Sequence, residues 1–184
     1  MEHVVLVNEQ NQILGMMNKK KVHTQTTPLH RGFSFYLFHS ATKKILVQQR
    51  SHQKPTWPLI WSNSCCGHPQ PKETNQQAVK RRVIQELGIS KLLEIQELIP
   101  DYRYTFKHSN GIVENEFCPI LVGVTDQQVV VNREEVERVK WLGWEEFLYN
   151  LEVKLENWSE WCVEEAKLLQ KNPQFKKFLK RVCT

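Results

Sequence analysis

The sequence predicts a single α+β domain: strand-like runs occupy most of the chain, one strongly periodic helix interrupts them, and helical spacing takes over only near the end. Residues 3–7 form an apolar run, residues 8–12 a polar turn and residues 13–17 a returning run, which together read as a hairpin. A strand follows over 32–38, where Phe33, Phe35 and Leu37 alternate with Ser34, Tyr36 and Phe38. Residues 45–49 are its expected partner, reached through a turn at Thr42, Lys43 and Lys44. Residues 51–64 carry Pro55 and Pro58 and read as a loop. Thr74 opens the helix, with Gln77 completing a capping box. Val79, Val83 and Leu87 form its apolar stripe, and Gly88 supplies a left-handed stop. Two long strand-like runs, 97–106 and 112–124, join through Ser109, Asn110 and Gly111, and 139–142 is a further strand. After Asn157 the spacing is helical through Gln170; Pro173 interrupts it, and a short basic helix closes the chain.

A length of 184 residues suits one domain spanning 1–184, with a core over about 30–145 and terminal helices over about 157–182. With 40% hydrophobic residues the chain can bury a core without disulfides or a structural metal. A net charge of +5 fits an anionic ligand and fits weak nucleic-acid binding as well, so composition alone assigns no partner. The Lys19-Lys20-Lys21 triplet and the cations between 176 and 181 read first as solvated faces. Five cysteines, two of them adjacent, form no disulfide framework and suit a reducing compartment. No signal peptide shows in residues 1–12, and no run of about 20 apolar residues suggests a membrane span, so a cytoplasmic protein is expected.

The chemistry concentrates in the middle of the chain. Gly67 is followed after five residues by Glu73, and after seven more by Arg81-Arg82-Val83-Ile84-Gln85-Glu86-Leu87-Gly88. That spacing resembles the Nudix box, a loop–helix–loop that holds metals for diphosphate cleavage. Arg82 and Gln85 stand where such hydrolases carry carboxylates, and of that cluster only Glu86 remains. The hydrolytic site is dismantled while its frame is kept.

Further along, Glu114 and Glu116 are two residues apart in a strand, so they share a face with Cβ atoms about 7 Å apart. A three-residue hairpin loop with Gly111 left-handed sets Tyr104 opposite Glu116 and Phe106 opposite Glu114; a two-residue Asn110-Gly111 turn shifts this register by one. Alone, the acidic pair reads as a wet strand face. Sharing that face with Cys118, Ile120 and Val122 argues against solvent. His23, His30 and His68 are candidate metal ligands, since neutral imidazoles with carboxylates suit a divalent transition metal.

Taken together, Trp61-Ser62-Asn63-Ser64-Cys65-Cys66-Gly67-His68-Pro69, Tyr102-Arg103-Tyr104 and Gly111-Ile112-Val113-Glu114-Asn115-Glu116-Phe117-Cys118-Pro119 resemble the type I isopentenyl-diphosphate isomerases of the Nudix superfamily, over about residues 6–166. The resemblance implies a Nudix-like mixed sheet flanked by helices. It implies isomerisation of isopentenyl diphosphate to dimethylallyl diphosphate through a tertiary carbocation, in isoprenoid precursor biosynthesis. His23, His30, His68, Glu114 and Glu116 would hold Zn2+ or Mn2+, and Glu86 a Mg2+ that bridges the diphosphate. Cys66, which directly precedes the Gly-His pair, and Glu116 would be the acid–base groups, with Tyr104 assisting Glu116 and Trp161 facing the cation. Lys19, Arg50, Lys54 and Arg82 would grip the diphosphate. The partner is then a small molecule, with no nucleic acid or membrane, and a monomer is favoured. The rival readings are a Nudix hydrolase, which needs the missing carboxylates, and a catalytically dead binding module, which has no need of Cys66 or Glu116.

Overall fold

The computed structural model describes residues 2–183. Its strands are β1 (His3–Val7), β2 (Ile13–Asn18), β3 (His30–Arg31), β4 (Phe33–His39), β5 (Ile45–Arg50), β6 (Trp61–Ser62), β7 (Cys65–Gly67), β8 (Glu94–Ile99), β9 (Arg103–Lys107), β10 (Val113–Phe117), β11 (Ile120–Thr125) and β12 (Val136–Leu142). Its helices are α1 (Lys19–Val22), α2 (Asn75–Leu87), α3 (Trp144–Val153), α4 (Glu160–Lys171) and α5 (Pro173–Cys183). The architecture is the α+β arrangement that the sequence predicts.

Two mixed sheets form. The smaller runs β2-β1-β3-β10-β9, and the larger follows β12-β5-β4-β11-β8. Each contains one parallel pair, β3 with β10 and β4 with β11. Only Gly32 separates β3 from β4, and only Cys118 and Pro119 separate β10 from β11. The chain therefore crosses between the sheets twice, side by side. The crossing is tied by Gly32 N donating to Phe117 O at 2.9 Å and by Ser34 N donating to Pro119 O at 3.0 Å.

Proline explains where the crossing falls. It has no N–H for a ladder, so a strand stops or bends there. The long runs expected over 97–106 and 112–124 are corrected accordingly: Pro100 and Pro119 cut each in two, with β8 and β11 in the larger sheet and β9 and β10 in the smaller. The β9–β10 hairpin keeps the register of the three-residue loop, Tyr104 opposite Glu116 and Phe106 opposite Glu114, and Gly111 has φ +90°.

The pairing expected between 32–38 and 45–49 also needs correction. β4 and β5 meet only at Phe38 and Ile45 and then splay apart. The gap is filled by residues 61–67: β6 pairs with β5 and β7 with β4. Ser64 replaces the missing ladder bonds, accepting from Leu37 N at 2.7 Å and donating to Leu46 O at 2.6 Å. Buried backbone groups must find such partners or forfeit about the worth of a hydrogen bond each. The inserted strap sets Cys66 opposite Ser34.

β4, β5 and β11 are buried on both faces. One face packs Phe33, Phe35, Leu37 and Leu121 against Val79, Val83 and Leu87 of α2. Each such side chain contributes about 1.5–3 kcal/mol by leaving water. α2 starts and stops as predicted, with the Thr74–Gln77 capping box and Gly88 at φ +67°. The other face packs Tyr36, Phe38 and Val122 against α3, α4 and α5. α3 is an element that the sequence reading missed. Its signal is Trp144, Phe147 and Leu151 buried at helical spacing, with Glu145 and Glu146 in the first turn, where the helix dipole favours acids.

Candidate active site

The candidate site residues gather at the crossing between the sheets. His30 lies on β3 and is wholly buried, His23 caps α1, and His68 follows β7. Their rings stand 5.1 to 5.5 Å apart by centroid. One ligand atom from each of His23, His30, His68 and Glu116 falls within 4.8 Å of the others. Glu114, the fifth expected ligand, borders this group rather than belonging to it. Its Oε2 is 3.0 Å from His23 Nε2, and its Oε1 accepts from Thr56 Oγ1 at 3.1 Å.

The donors suit a metal. His30 Nδ1 is 2.9 Å from Pro28 O, which can only accept, so the proton sits on Nδ1 and Nε2 keeps its lone pair. The buried Nε2 atoms of His23 and His30 have no hydrogen-bond partner of good geometry. Burial, followed by the neighbouring His68, pushes the pKa of His30 down to about 4. Burial and then Lys19 hold His68 well below the usual histidine range. Both are neutral near pH 7, as ligands must be. For His23 burial opposes the charge, but the Glu114 carboxylate outweighs it and raises the pKa. In return His23 outweighs the burial of Glu114 and lowers that carboxyl to about 2.

Glu116 is nearly buried, and burial followed by the Glu114 charge raises its pKa. The Tyr104 hydroxyl opposes that rise by hydrogen bonding to it. His68 Nε2 lies 2.9 Å from Glu116 Oε1. The carboxylate also sits so close to Gly32 that a Cβ there would stand 1.9 Å from Glu116 Oε2. The sequence reading did not single out Gly32; a glycine inside a strand pattern is the signal that marks such close approach.

A cavity of about 770 Å³ opens beside these groups. Cys66 from the larger sheet, Glu116 and Tyr104 from the smaller, and Trp161 from α4 all line it. So do Lys19, Arg50, Lys54 and Arg82. Of the residues expected to act, His30 and Glu86 are not in the lining. Burial pushes the Cys66 thiol up to about 12, so it keeps its proton at neutral pH, and it donates to Asn63 Oδ1 at 3.1 Å. Cys65, facing the opposite way, is buried with the α2 core. Trp161 stacks on Tyr104 at 5.8 Å with 16° between planes, and the Arg50 guanidinium lies 5.5 Å from its ring centre.

The cationic end carries its own carboxylates. Lys19 Nζ donates to Glu2 Oε2 at 2.8 Å, Lys54 pairs with Glu135, and Arg82 Nη2 lies 3.1 Å from Glu135 Oε2. Burial opposes ionisation of Glu135, but Arg82 and Lys54 outweigh it and lower its pKa to about 2. Glu86 is held by Arg82 Nε at 3.1 Å and Gln48 Nε2 at 3.2 Å. Neither Glu2 nor Glu135 could be singled out from sequence, because both meet their partners across the fold.

The NUDIX domain family matches residues 28–162, and the chain belongs to that family. An isopentenyl-diphosphate Delta-isomerase from Saccharopolyspora erythraea is 40% identical over 166 residues, covering 90% of this chain and 84% of that protein. Another from Klebsiella pneumoniae is 44% identical over 165 residues, covering 90% and 89%. Within the NUDIX family, the chain thus falls among the isopentenyl-diphosphate Delta-isomerases. Two crystal structures share the fold: a protein from Deinococcus radiodurans (TM-score 0.64, 18% identity, covering 98% of this chain and 99% of that one) and a MutT protein from Methanosarcina mazei (TM-score 0.57, 17% identity, covering 79% and 97%).

Proposed function

We propose that the chain, like the isopentenyl-diphosphate Delta-isomerases among which it falls, interconverts isopentenyl and dimethylallyl diphosphate in isoprenoid precursor biosynthesis, with Cys66 and Glu116 as the acid–base pair. The observation that carries this reading is one cavity lined by Cys66, Glu116, Tyr104 and Trp161 together with Lys19, Arg50, Lys54 and Arg82. An isolated alkene is a poor base, so the reaction needs a proton held in a dry site and a stabilised cation. A proton delivered to the terminal carbon leaves a tertiary carbocation, and loss of a proton from the neighbouring methylene completes the shift. A thiol pushed up to about 12 and a carboxyl raised by burial both carry protons near neutral pH better than free side chains do. Tyr104, opposite Glu116 on the adjacent strand, steadies the charge of that carboxyl.

Arg82 stands where a hydrolase needs a carboxylate, and its guanidinium can fork onto phosphate without activating water. The three histidines with Glu116, bordered by Glu114, would hold a divalent transition metal such as Zn2+ or Mn2+, which would fix the orientation and charge of the Glu116 carboxylate. Glu86 is the expected Mg2+ ligand. Its carboxylate is engaged by Arg82 and Gln48 and does not reach the cavity, so no step is derived through Mg2+ there. No helix among the described residues is long and apolar enough to cross a membrane. The proposed enzyme is a cytoplasmic monomer that engages no nucleic acid.

Incubating the protein with isopentenyl diphosphate and Mg2+ tests the reading: dimethylallyl diphosphate is expected, whereas free phosphate or no product overturns it. Exhaustive chelation should abolish turnover, and Zn2+ or Mn2+ supplied with Mg2+ should restore it. Elemental analysis should find one transition metal per chain, lost in His30→Ala. Full activity in metal-free protein would refute the histidine site.

Trp161 offers a second check. An aromatic face stabilises a cation by about 1–2 kcal/mol, so Trp161→Leu should slow single turnover by about 5- to 30-fold while Trp161→Phe retains part of the rate. If Trp161 only packs, both variants lose melting temperature and neither loses rate per folded molecule.

A further inference from the structure

One residue that the reaction as described does not use touches both ends of the cavity. Thr56 is buried in the loop between β5 and β6. Its backbone carbonyl accepts from Arg50 Nη2 at 3.0 Å, and its hydroxyl donates to Glu114 Oε1 at 3.1 Å. Arg50 lines the cationic end of the cavity. Glu114 turns its other oxygen, Oε2, toward His23 Nε2 at 3.0 Å. A single carboxylate therefore has the histidine cluster on one oxygen and Thr56 on the other.

The loop around Thr56 is fastened to its surroundings on every side. Asn110 Nδ2 donates to Pro55 O at 2.8 Å, Trp57 Nε1 donates to Glu160 Oε2 at 2.7 Å, and Arg50 Nε donates to Trp57 O at 3.1 Å. Trp57 and Leu59 are left-handed, with φ +47° and +60°. Bulky side chains hold such a conformation only where the surroundings impose it. The same loop carries Lys54, which pairs with Glu135. Loosening it would disturb two of the cations that face the cavity. Lys54 would move with the loop, and Arg50 would lose its aim, since the loop carbonyls accept from two of its nitrogens and fix the fork for an anion.

We propose that Thr56 is a positioning residue that couples the two halves of the site: through its hydrogen bond to Glu114, a transition metal among the histidines tightens the grip on diphosphate, and diphosphate tightens the grip on the metal. The inference deepens the isomerase reading above and rests on it for the identity of the anion. A cation held by the histidines and Glu116 attracts Glu114 through Oε2 and so steadies Oε1 as the acceptor for Thr56. A hydrogen bond to a charged acceptor is roughly twice as strong as one to a neutral acceptor, so this link is a strong one for the loop. With the loop held, Lys54 and Arg50 are already placed when the anion arrives, and less ordering is left for binding to impose. Coupling between two ligands is reciprocal, so the same factor must appear in both binding constants.

The test compares wild type, Thr56→Val, which keeps the shape and removes the hydroxyl, and Thr56→Ser, which keeps the hydroxyl. The anion is isopentyl diphosphate, a saturated analogue with no double bond to protonate, in excess Mg2+. Calorimetry gives its Kd on zinc-loaded and zinc-free protein, and competition with a chelator gives the Kd of Zn2+ with and without the analogue. High salt screens the direct attraction between the two ligands. In wild type and Thr56→Ser each ligand should bind about tenfold tighter in the presence of the other, the effect of one charge-assisted hydrogen bond. In Thr56→Val both ratios should fall close to one. Wild-type ratios in Thr56→Val overturn the inference, as do ratios near one in wild type or a Thr56→Ser protein as uncoupled as Thr56→Val. Should Thr56→Val not fold, Thr56→Ala makes the same comparison. A wild type that binds no Zn2+ overturns the inference together with the histidine site. A wild type that shows the Thr56-dependent ratios yet makes no dimethylallyl diphosphate from isopentenyl diphosphate sinks the isomerase reading and leaves the coupling standing.

Discussion

Cys66→Ala is expected to lower kcat by about a thousandfold, within the range a positioned acid–base group contributes, while Cys65→Ala keeps most of the activity. Neighbours in a strand point to opposite faces, and here the faces differ in kind. Cys66 lines the cavity with its thiol donating to Asn63, whereas Cys65 is packed with Phe33, Phe35 and Val83 against α2. Cys65→Ala should instead cost stability, about 1 kcal/mol for a small deletion in a packed core. Kinetics and thermal melts on both variants decide the matter. Equal loss of turnover in the two proteins would remove Cys66 from the reaction, and loss confined to Cys65→Ala would reverse the assignment.

What the sequence revealed depended on how local the signal was. The capping box of α2, its apolar stripe and the β9–β10 register are set by residues close in sequence, and each is legible there. The division into two sheets is not, because β4, β5 and β11 are apolar on both faces and carry no alternation to show which neighbour they pair with. The strap between β4 and β5 is likewise hidden: Asn63 and Ser64 look like loop residues until their hydrogen bonds to Phe35 O and Leu46 O are seen. The chemical motifs led to Cys66, Tyr104, Glu116 and Trp161, all of which line the cavity. They did not lead to the carboxylates that meet the cavity's cations from elsewhere, Glu2 and Glu135, since a charge pair across the fold leaves no spacing.

Gly32→Ala should lower kcat by about a hundredfold with little change in melting temperature. A Cβ at this position would lie 1.9 Å from Glu116 Oε2 and 2.6 Å from its Cδ, far inside contact distance. The atoms in the way are the far end of a side chain and not backbone, so the fold can survive by swinging the carboxylate aside. The hydrogen bond from Gly32 N to Phe117 O is unaffected by the added methyl, so the crossing between the sheets should hold. The cost then lands on the chemistry. Glu116 has to leave both its place near Tyr104 and its place among the three histidines, and a misplacement of about 1 Å can cost roughly 100-fold in rate. The same movement should weaken the metal site, so Gly32→Ala should also bind less transition metal after dialysis than wild type. Gly67 provides a comparison: its added Cβ would press on the Arg82 Cγ and the Phe33 ring at 2.9 and 3.1 Å, against the core and the cationic end of the cavity, so that variant should lose stability and raise KM. A Gly32→Ala protein with wild-type kcat and full metal content would show that Glu116 does not depend on the bare backbone beside it.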